Sequence, residues 1–247
     1  MAAPQPATLY LTSIEVATSS SDLVWQAAAD GAPSGTAFLV GEQTAGRGRR
    51  GAGWSSARGG MYLSILLRPS VSPDAVWGLS FVAALAIREA IAARLSTTEV
   101  TLKWPNDILA GAGKICGILL EARGEAVVVG TGVNIAPVTP LADVKIPAVS
   151  FHEFGDGTTT PEELARDYAT RLLMRAAQWE RDGFAPVRLE WLEHCAHIGR
   201  SMRVTTGSRV ITGAFDDLCD DGALAIRGDD GTVQRVTTGD VELTGRL

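Results

Sequence analysis

The chain has 247 residues, 46% hydrophobic and 20% charged, a composition that supplies a sizeable core for one medium or two small domains. Its net charge of −6 argues against bulk binding to nucleic acid or anionic membranes. Three cysteines are too few for a disulfide framework, and the longest apolar run, from about Trp77 to Ile87, falls short of the ~20 residues a bilayer span needs, so a cytoplasmic, membrane-free protein is expected.

In chain order, Thr8–Ile14 reads as a strand and Ser20–Asp30 as a helix, with hydroxyls at Thr18, Ser19 and Ser20 that can cap the helix or face a ligand. Thr36–Val40 and Met61–Leu67 read as strands. Between them, GRGRRGAGW (46–54) alternates glycines, which let backbone N–H groups approach a ligand, with Arg47, Arg49 and Arg50, whose forked donors suit carboxylate or phosphate. In an acidic chain this cluster needs a local cause, and a basic loop anchored between strands would close as a lid over an anion. A solvated turn or a nonspecific nucleic-acid contact is the plainer account. Gly46-x-Gly48-x-x-Gly51 matches the dinucleotide fingerprint, yet a strand and not a helix follows it. A protein-kinase loop is also excluded, because no His-Arg-Asp or Asp-Phe-Gly occurs.

Asp74–Leu95 is apolar on nearly every side and reads as a buried helix. Val100–Lys103 reads as a strand ending at Trp104-Pro105-Asn106-Asp107, where Lys103, Asn106 and Asp107 gather as ligand groups or form a turn. Lys114–Glu121 and Ala126–Asn134 read as paired strands. Lys114 opens the first, as a ligand group or as a snorkelling strand-end lysine, and Gly117 leaves room above the sheet. Asn134 offers a donor and an acceptor suited to a base edge. Pro137–Phe154 reads as loop, Thr160-Pro161-Glu162-Glu163 as a capping box opening a helix to about Gly183, and Pro186–Ile198 as a second helix. His194-x-x-His197 with Cys195 lacks further ligands, so no protein metal site is expected. After Gly199, five short β-type runs separated by glycine turns read as a small SH3-like β-barrel behind the catalytic unit, which divides the chain into domains 1–198 and 199–247.

Four stations occur in order: Gly46-Arg47-Gly48-Arg49-Arg50-Gly51 with Trp54; Lys103-Trp104-Pro105-Asn106-Asp107; Lys114-x-x-Gly117-Ile118-Leu119; and Gly130-x-Gly132-Val133-Asn134. Together with the Asp221-Gly222-Ala223-Leu224 turn they resemble the biotin protein ligases. Where that family places Ser-Thr-Asn before the first helix, this chain has Thr18-Ser19-Ser20.

The resemblance implies an α+β fold, with a mixed sheet packed against helices as in class II aminoacyl-tRNA synthetases, and the C-terminal barrel. It implies a reaction of biotin with ATP and Mg²⁺ to biotinyl-5′-AMP, then transfer to a lysine of the biotin carboxyl carrier domain of an acyl-CoA or pyruvate carboxylase. By the same resemblance Thr18, Ser19, Gln43, Gly46, Arg47, Lys114, Gly117 and Leu119 hold biotin. Arg47, Arg49, Arg50, Trp54, Asn106, Asp107 and Asn134 serve ATP, and Lys114 with Arg47 is catalytic. A monomer or weak homodimer without a DNA partner is expected, since the catalytic pattern begins by about Thr8 and leaves no room for a helix-turn-helix domain. The alternatives are lipoate or octanoate transfer and an RNA-binding module; the latter would need basic residues interleaved with aromatics beyond residue 58, and none cluster there.

Overall fold

The computed structural model describes residues 5–138 and 146–243. Seven strands build its first unit: β1 Tyr10–Ala17, β2 Thr36–Gln43, β3 Met61–Leu67, β4 Val100–Lys103, β5 Asp107–Ala110, β6 Gly113–Arg123 and β7 Ala126–Val133. They form one mixed sheet in the order β1-β2-β3-β7-β6-β5-β4. β1 and β2 are parallel, and every other neighbouring pair is antiparallel.

Both faces of this sheet are covered, for reasons visible in β3. Its odd-numbered residues Met61, Leu63, Ile65 and Leu67 join the main core under α2 (Gly78–Ala92) and α3 (Pro161–Asp182). Leu66, of the opposite parity, packs with Val24 and Trp25 of α1 (Ser20–Ala29) and with Val128. A strand buried on both faces loses the polar alternation of a half-exposed one, which is why MYLSILL is a nearly continuous apolar run. α1 begins at Ser20 because the Ser19 hydroxyl accepts the Ser21 N–H. α3 is opened by the expected capping box between Thr160 and Glu163, with Pro161 in its first turn, and stops at Gly183. The second helix of this region, α4, spans Phe184–Glu193 and ends earlier than the sequence pattern implies. The chain then runs beside β4, with Leu102 N–H donating to His194 O at 2.8 Å and Ala196 N–H to Leu102 O at 2.9 Å.

Two further departures concern the sheet. The expected turn at Asn106-Asp107 is followed at once by β5, which pairs with both β4 and β6. The loop expected over 137–154 contains a 3₁₀ turn at Phe151–Phe154 with its own capping box, while residues 139–145 of that loop lie outside the described residues.

The C-terminal unit consists of β8 Ser201–Thr206, β9 Arg209–Leu218, β10 Leu224–Arg227, β11 Val233–Val236 and β12 Asp240–Leu243. These strands form an antiparallel sheet in the order β11-β10-β9-β8-β12. Its apolar residues Met202, Val204, Phe215 and Leu224 belong to the same core as Leu102 and Trp104. The expected position behind the catalytic sheet is not the one observed. The unit reaches the mouth of the main cleft, whose lining includes Gly239, Asp240 and Val241.

Candidate active site

A cleft of about 270 Å³ opens over the face of β3, β7 and β6 that α1 only partly covers. Its floor is made by two glycines directly opposite each other, Gly117 on β6 and Gly132 on β7. The Trp54 indole lies on this floor: a Cβ on Gly132 would stand 2.5 Å from Trp54 Nε1, and one on Gly117 2.8 Å from Trp54 Cζ3. Glycine is required here by close approach, with no side chain tolerated unless the indole moves. Trp54 Nε1 is buried without a hydrogen-bond partner.

Lys114 reaches the same face through a β-bulge. Simple alternation along β6 would put Lys114 with Cys116 and opposite Gly117. The pairing with β5 shifts register between Ile108 and Leu109, so Ile115 is an extra residue, and Ile115 and Cys116 both enter the core. Lys114 is thereby turned onto the cleft, with Nζ 5.1 Å from the centre of the Trp54 ring.

The lysine shares a carboxylate. Lys114 Nζ stands 2.6 Å from Asp107 Oδ1, and Lys103 Nζ stands 3.2 Å from Asp107 Oδ2. Burial acts to raise the Asp107 pKa, but the adjacent ammonium groups of Lys114 and Lys103 outweigh it and hold the carboxyl below its ordinary range. Asp107 is therefore an anionic anchor and a poor proton acceptor.

The cleft also holds a hydroxyl and amide cluster. Gln43 Oε1 accepts from Ser20 N–H at 2.8 Å and Ser20 Oγ at 3.1 Å, while Gln43 Nε2 donates to Ser56 Oγ at 2.7 Å. Ser64 Oγ lies 2.7 Å from Ser20 Oγ and 3.0 Å from Ser21 Oγ. Such a cluster can exchange donors and acceptors with a compact polar ring.

The glycine-arginine loop closes the cleft, held as a turn by Gly48 N–H to Ala52 O at 2.7 Å and Trp54 N–H to Gly46 O at 2.9 Å. Arg47 pairs with Asp22 at 2.7 Å. Arg49 donates to Asn106 Oδ1 and Thr238 Oγ1, both at 3.3 Å. Arg50, in the left-handed region with φ 55°, turns to the C-terminal unit, donating to Asp240 at 2.7 Å and Thr238 at 3.2 Å.

Of the residues singled out in the sequence, Ser19, Gln43, Arg47, Arg49, Trp54, Asn106, Asp107, Lys114, Gly117 and Leu119 line the cleft. Four others stand elsewhere. Thr18 is exposed, and the hydroxyls facing the cleft are one position later, at Ser19, Ser20 and Ser21, where Ser20 and Ser21 meet Gln43 and Ser64. Gly46 lies behind the lining, where a Cβ would meet Ser56 Oγ and Trp54 O at 2.5 Å. Arg50 faces Asp240. Asn134 does not reach the cleft, since its amide Nδ2 donates to Val149 O at 3.1 Å and ties that segment to the sheet. Tyr62 and Ser64 also line the cleft, with Ser56 behind Gln43, and no motif in the sequence points to them. Ser64 does carry a signal, as the one hydroxyl of an aliphatic type in the apolar run of β3.

The cleft lining carries four cations, Arg47, Arg49, Lys103 and Lys114, against two carboxylates, Asp107 and Asp240. In a chain of net charge −6 this local excess suits an anionic ligand.

Fold and cleft together define the class described as the biotin/lipoate A/B protein ligase family, whose model matches residues 13–135, while the model for the biotin protein ligase C terminal domain matches residues 197–244. Within that class the chain belongs to the biotin protein ligases. It is 38% identical over 205 residues to a biotin–[acetyl-CoA-carboxylase] ligase of Paracoccus denitrificans, covering 79% of this chain and 85% of that one. It is 32% identical over 232 residues to the enzyme of the same name from Mycobacterium tuberculosis, covering 92% and 86%. Among solved structures, the biotin protein ligase of Aquifex aeolicus in complex with biotin and ATP superposes with a TM-score of 0.82 at 24% identity, covering 95% of this chain and 98% of that one, a likeness of fold.

Proposed function

We propose that the cleft joins biotin to ATP as biotinyl-5′-AMP and then passes the biotinyl group to a lysine of a biotin carboxyl carrier domain, that of acetyl-CoA carboxylase first among the candidates and that of pyruvate carboxylase second. The observation that carries this reading is the gathering of Lys114, Lys103, Arg47 and Arg49 with a hydroxyl and amide cluster around one glycine-floored cleft.

In the first step an oxygen of the biotin carboxylate attacks the α-phosphorus, and the bond to the bridging oxygen breaks, so pyrophosphate leaves with the electron pair. Two unit charges ~4 Å apart repel by about 4 kcal/mol at an effective dielectric near 20, and each further phosphate charge adds to this. Arg47 and Lys114 offset that repulsion at the reacting oxygens, and Arg49 offsets it at the leaving group. Magnesium enters as part of the nucleotide substrate. Such a cation is held chiefly by substrate phosphates.

In the second step the lysine nitrogen of the carrier attacks the acyl carbon, AMP leaves, and the amine proton passes to solvent, Asp107 being held too acidic to take it. Until then Trp54 and the loop exclude water from the mixed anhydride. The Ser20, Ser21, Ser64 and Gln43 cluster favours biotin over lipoate, because a ureido ring returns the hydrogen bonds it displaces and a dithiolane cannot. The enzyme is proposed to act in the cytoplasm as a monomer or weak homodimer. No described helix is long and apolar enough to cross a membrane. Biotin-dependent exchange of labelled pyrophosphate into ATP tests the reading: exchange with biotin and none with lipoate is expected, and no exchange with biotin overturns it.

A further inference from the structure

β4 ends at Lys103 on the open side of the sheet, where Trp104 N–H has no strand to receive it. The imidazole of His197 stands in that position, with Nε2 accepting from Trp104 N–H at 3.0 Å. His197 is fully buried, lies 6.0 Å from the Phe215 ring of the C-terminal sheet, and follows directly on the 194–196 segment that pairs with Leu102. The Trp104 indole is held from the same side, donating to Gly222 O at 3.0 Å. Immediately beyond this double attachment come Asn106, which accepts from Arg49 and donates to Ile118 O at 2.7 Å, and Asp107, which anchors Lys103 and Lys114.

We infer that His197 is a positioning residue for the nucleotide side of the active site, setting the Trp104–Asp107 turn from the junction with the C-terminal unit. The inference rests on the adenylation reading of the cleft. His197 does not line the cleft, and it acts through Trp104. Removing the acceptor leaves a buried N–H unsatisfied, and the turn relaxes to find a partner, moving Asn106 and Asp107 with it. The polar cluster that holds the biotin ring hangs on α1, β2 and β3 and does not depend on this attachment.

The test compares His197→Leu, which removes the acceptor, with His197→Gln, whose amide oxygen can take the place of Nε2. In His197→Leu, kcat/KM for ATP in pyrophosphate exchange should fall about tenfold or more, with biotin affinity changed less than about twofold, and His197→Gln should restore most of the loss. Amide hydrogen exchange at Trp104–Asp107 should quicken in His197→Leu, a readout that does not depend on the substrate. A His197→Leu protein with a lower Tm but unchanged ATP parameters and unchanged exchange at that turn overturns the inference. Wild-type protein that fails to exchange pyrophosphate with biotin overturns the adenylation reading, and with it the catalytic part of this inference, while the exchange at Trp104–Asp107 still decides the positioning part.

Discussion

Lys114 and Lys103 are held on the two oxygens of one carboxylate, Asp107, at 2.6 and 3.2 Å. One ammonium can therefore leave for a phosphate oxygen while the other keeps Asp107 neutralised. For this reason Lys114→Ala should leave a folded protein. It should still bind biotin, and pyrophosphate exchange should fall by about 10²–10³-fold or more, the loss expected on removing a preorganised charge from a transition state. Lys114→Arg should recover little, because a planar fork does not fit where a compact ammonium stood. Near-normal exchange by Lys114→Ala would remove Lys114 from the mechanism.

Asp107→Asn should behave differently. It leaves two cations together with no counter-charge, and losing one partner of a buried ion pair costs on the order of 3–5 kcal/mol. Chemical denaturation should show a clear loss of stability with the unfolding slope unchanged, alongside lost activity.

Gly132→Ala should evict Trp54, since the new Cβ would stand 2.5 Å from the indole nitrogen, and the obstacle is a side chain that can move. Tryptophan fluorescence should shift and KM for ATP should rise several-fold, with Tm lowered only slightly. An unchanged KM would mean that Trp54 does not face the nucleotide.

The tie between Arg50 and Asp240 predicts the protease sensitivity of the loop. The pair is exposed and worth at most about 1 kcal/mol, so Asp240→Asn should leave Tm unaltered. Trypsin should cut after Arg49 or Arg50 faster in that variant, and biotin with ATP should protect both proteins. Equal cleavage rates with and without ligands would show that the loop does not order on them.

His197 makes stability depend on pH. Burial first, then the charges of Lys103 and Arg200, push its pKa from the ordinary 6.5 down to about 3, against a smaller opposing effect of Asp107. The unfolded chain then binds the extra proton between those values, so this contribution is complete above about pH 6.5 and is lost as pH falls toward 3. His194 is shifted in the same direction, chiefly by burial, and adds to the slope. Tm should decline between about pH 6.5 and 4.5, above the range of most carboxylates, and His197→Gln should flatten that decline.

Much of this site is legible in the sequence because its parts are local. The loop's glycines and arginines, the strand-start lysine and the Trp-Pro-Asn-Asp turn each declare a chemistry within a few residues, and the capping box at Thr160 declares a helix. What stays hidden depends on register and on distant partners. The bulge at Ile115, which turns Lys114 onto the face of Gly117, leaves no mark in an alternating pattern. The one-residue offset that exposes Thr18 depends on which hydroxyls of the Thr18–Ser21 run turn inward to Gln43 and Ser64, and the use of Asn134 depends on a carbonyl 15 residues away. Arg50 finds Asp240 across 190 residues, a partnership no local pattern supplies, which is why the sequence points to the wrong place for the C-terminal unit.

The two-sided burial of β3 has a consequence for inheritance. Met61, Leu63 and Ile65 serve the apolar core, whereas Tyr62 and Ser64 between them look into the cleft. A saturation scan from Met61 to Ile65 should thus return phenotypes of period two, with reduced protein abundance at odd numbers and intact but inactive protein at even ones. Lineages can drift in the first set through compensating changes of volume, while the second set answers only to the ligand.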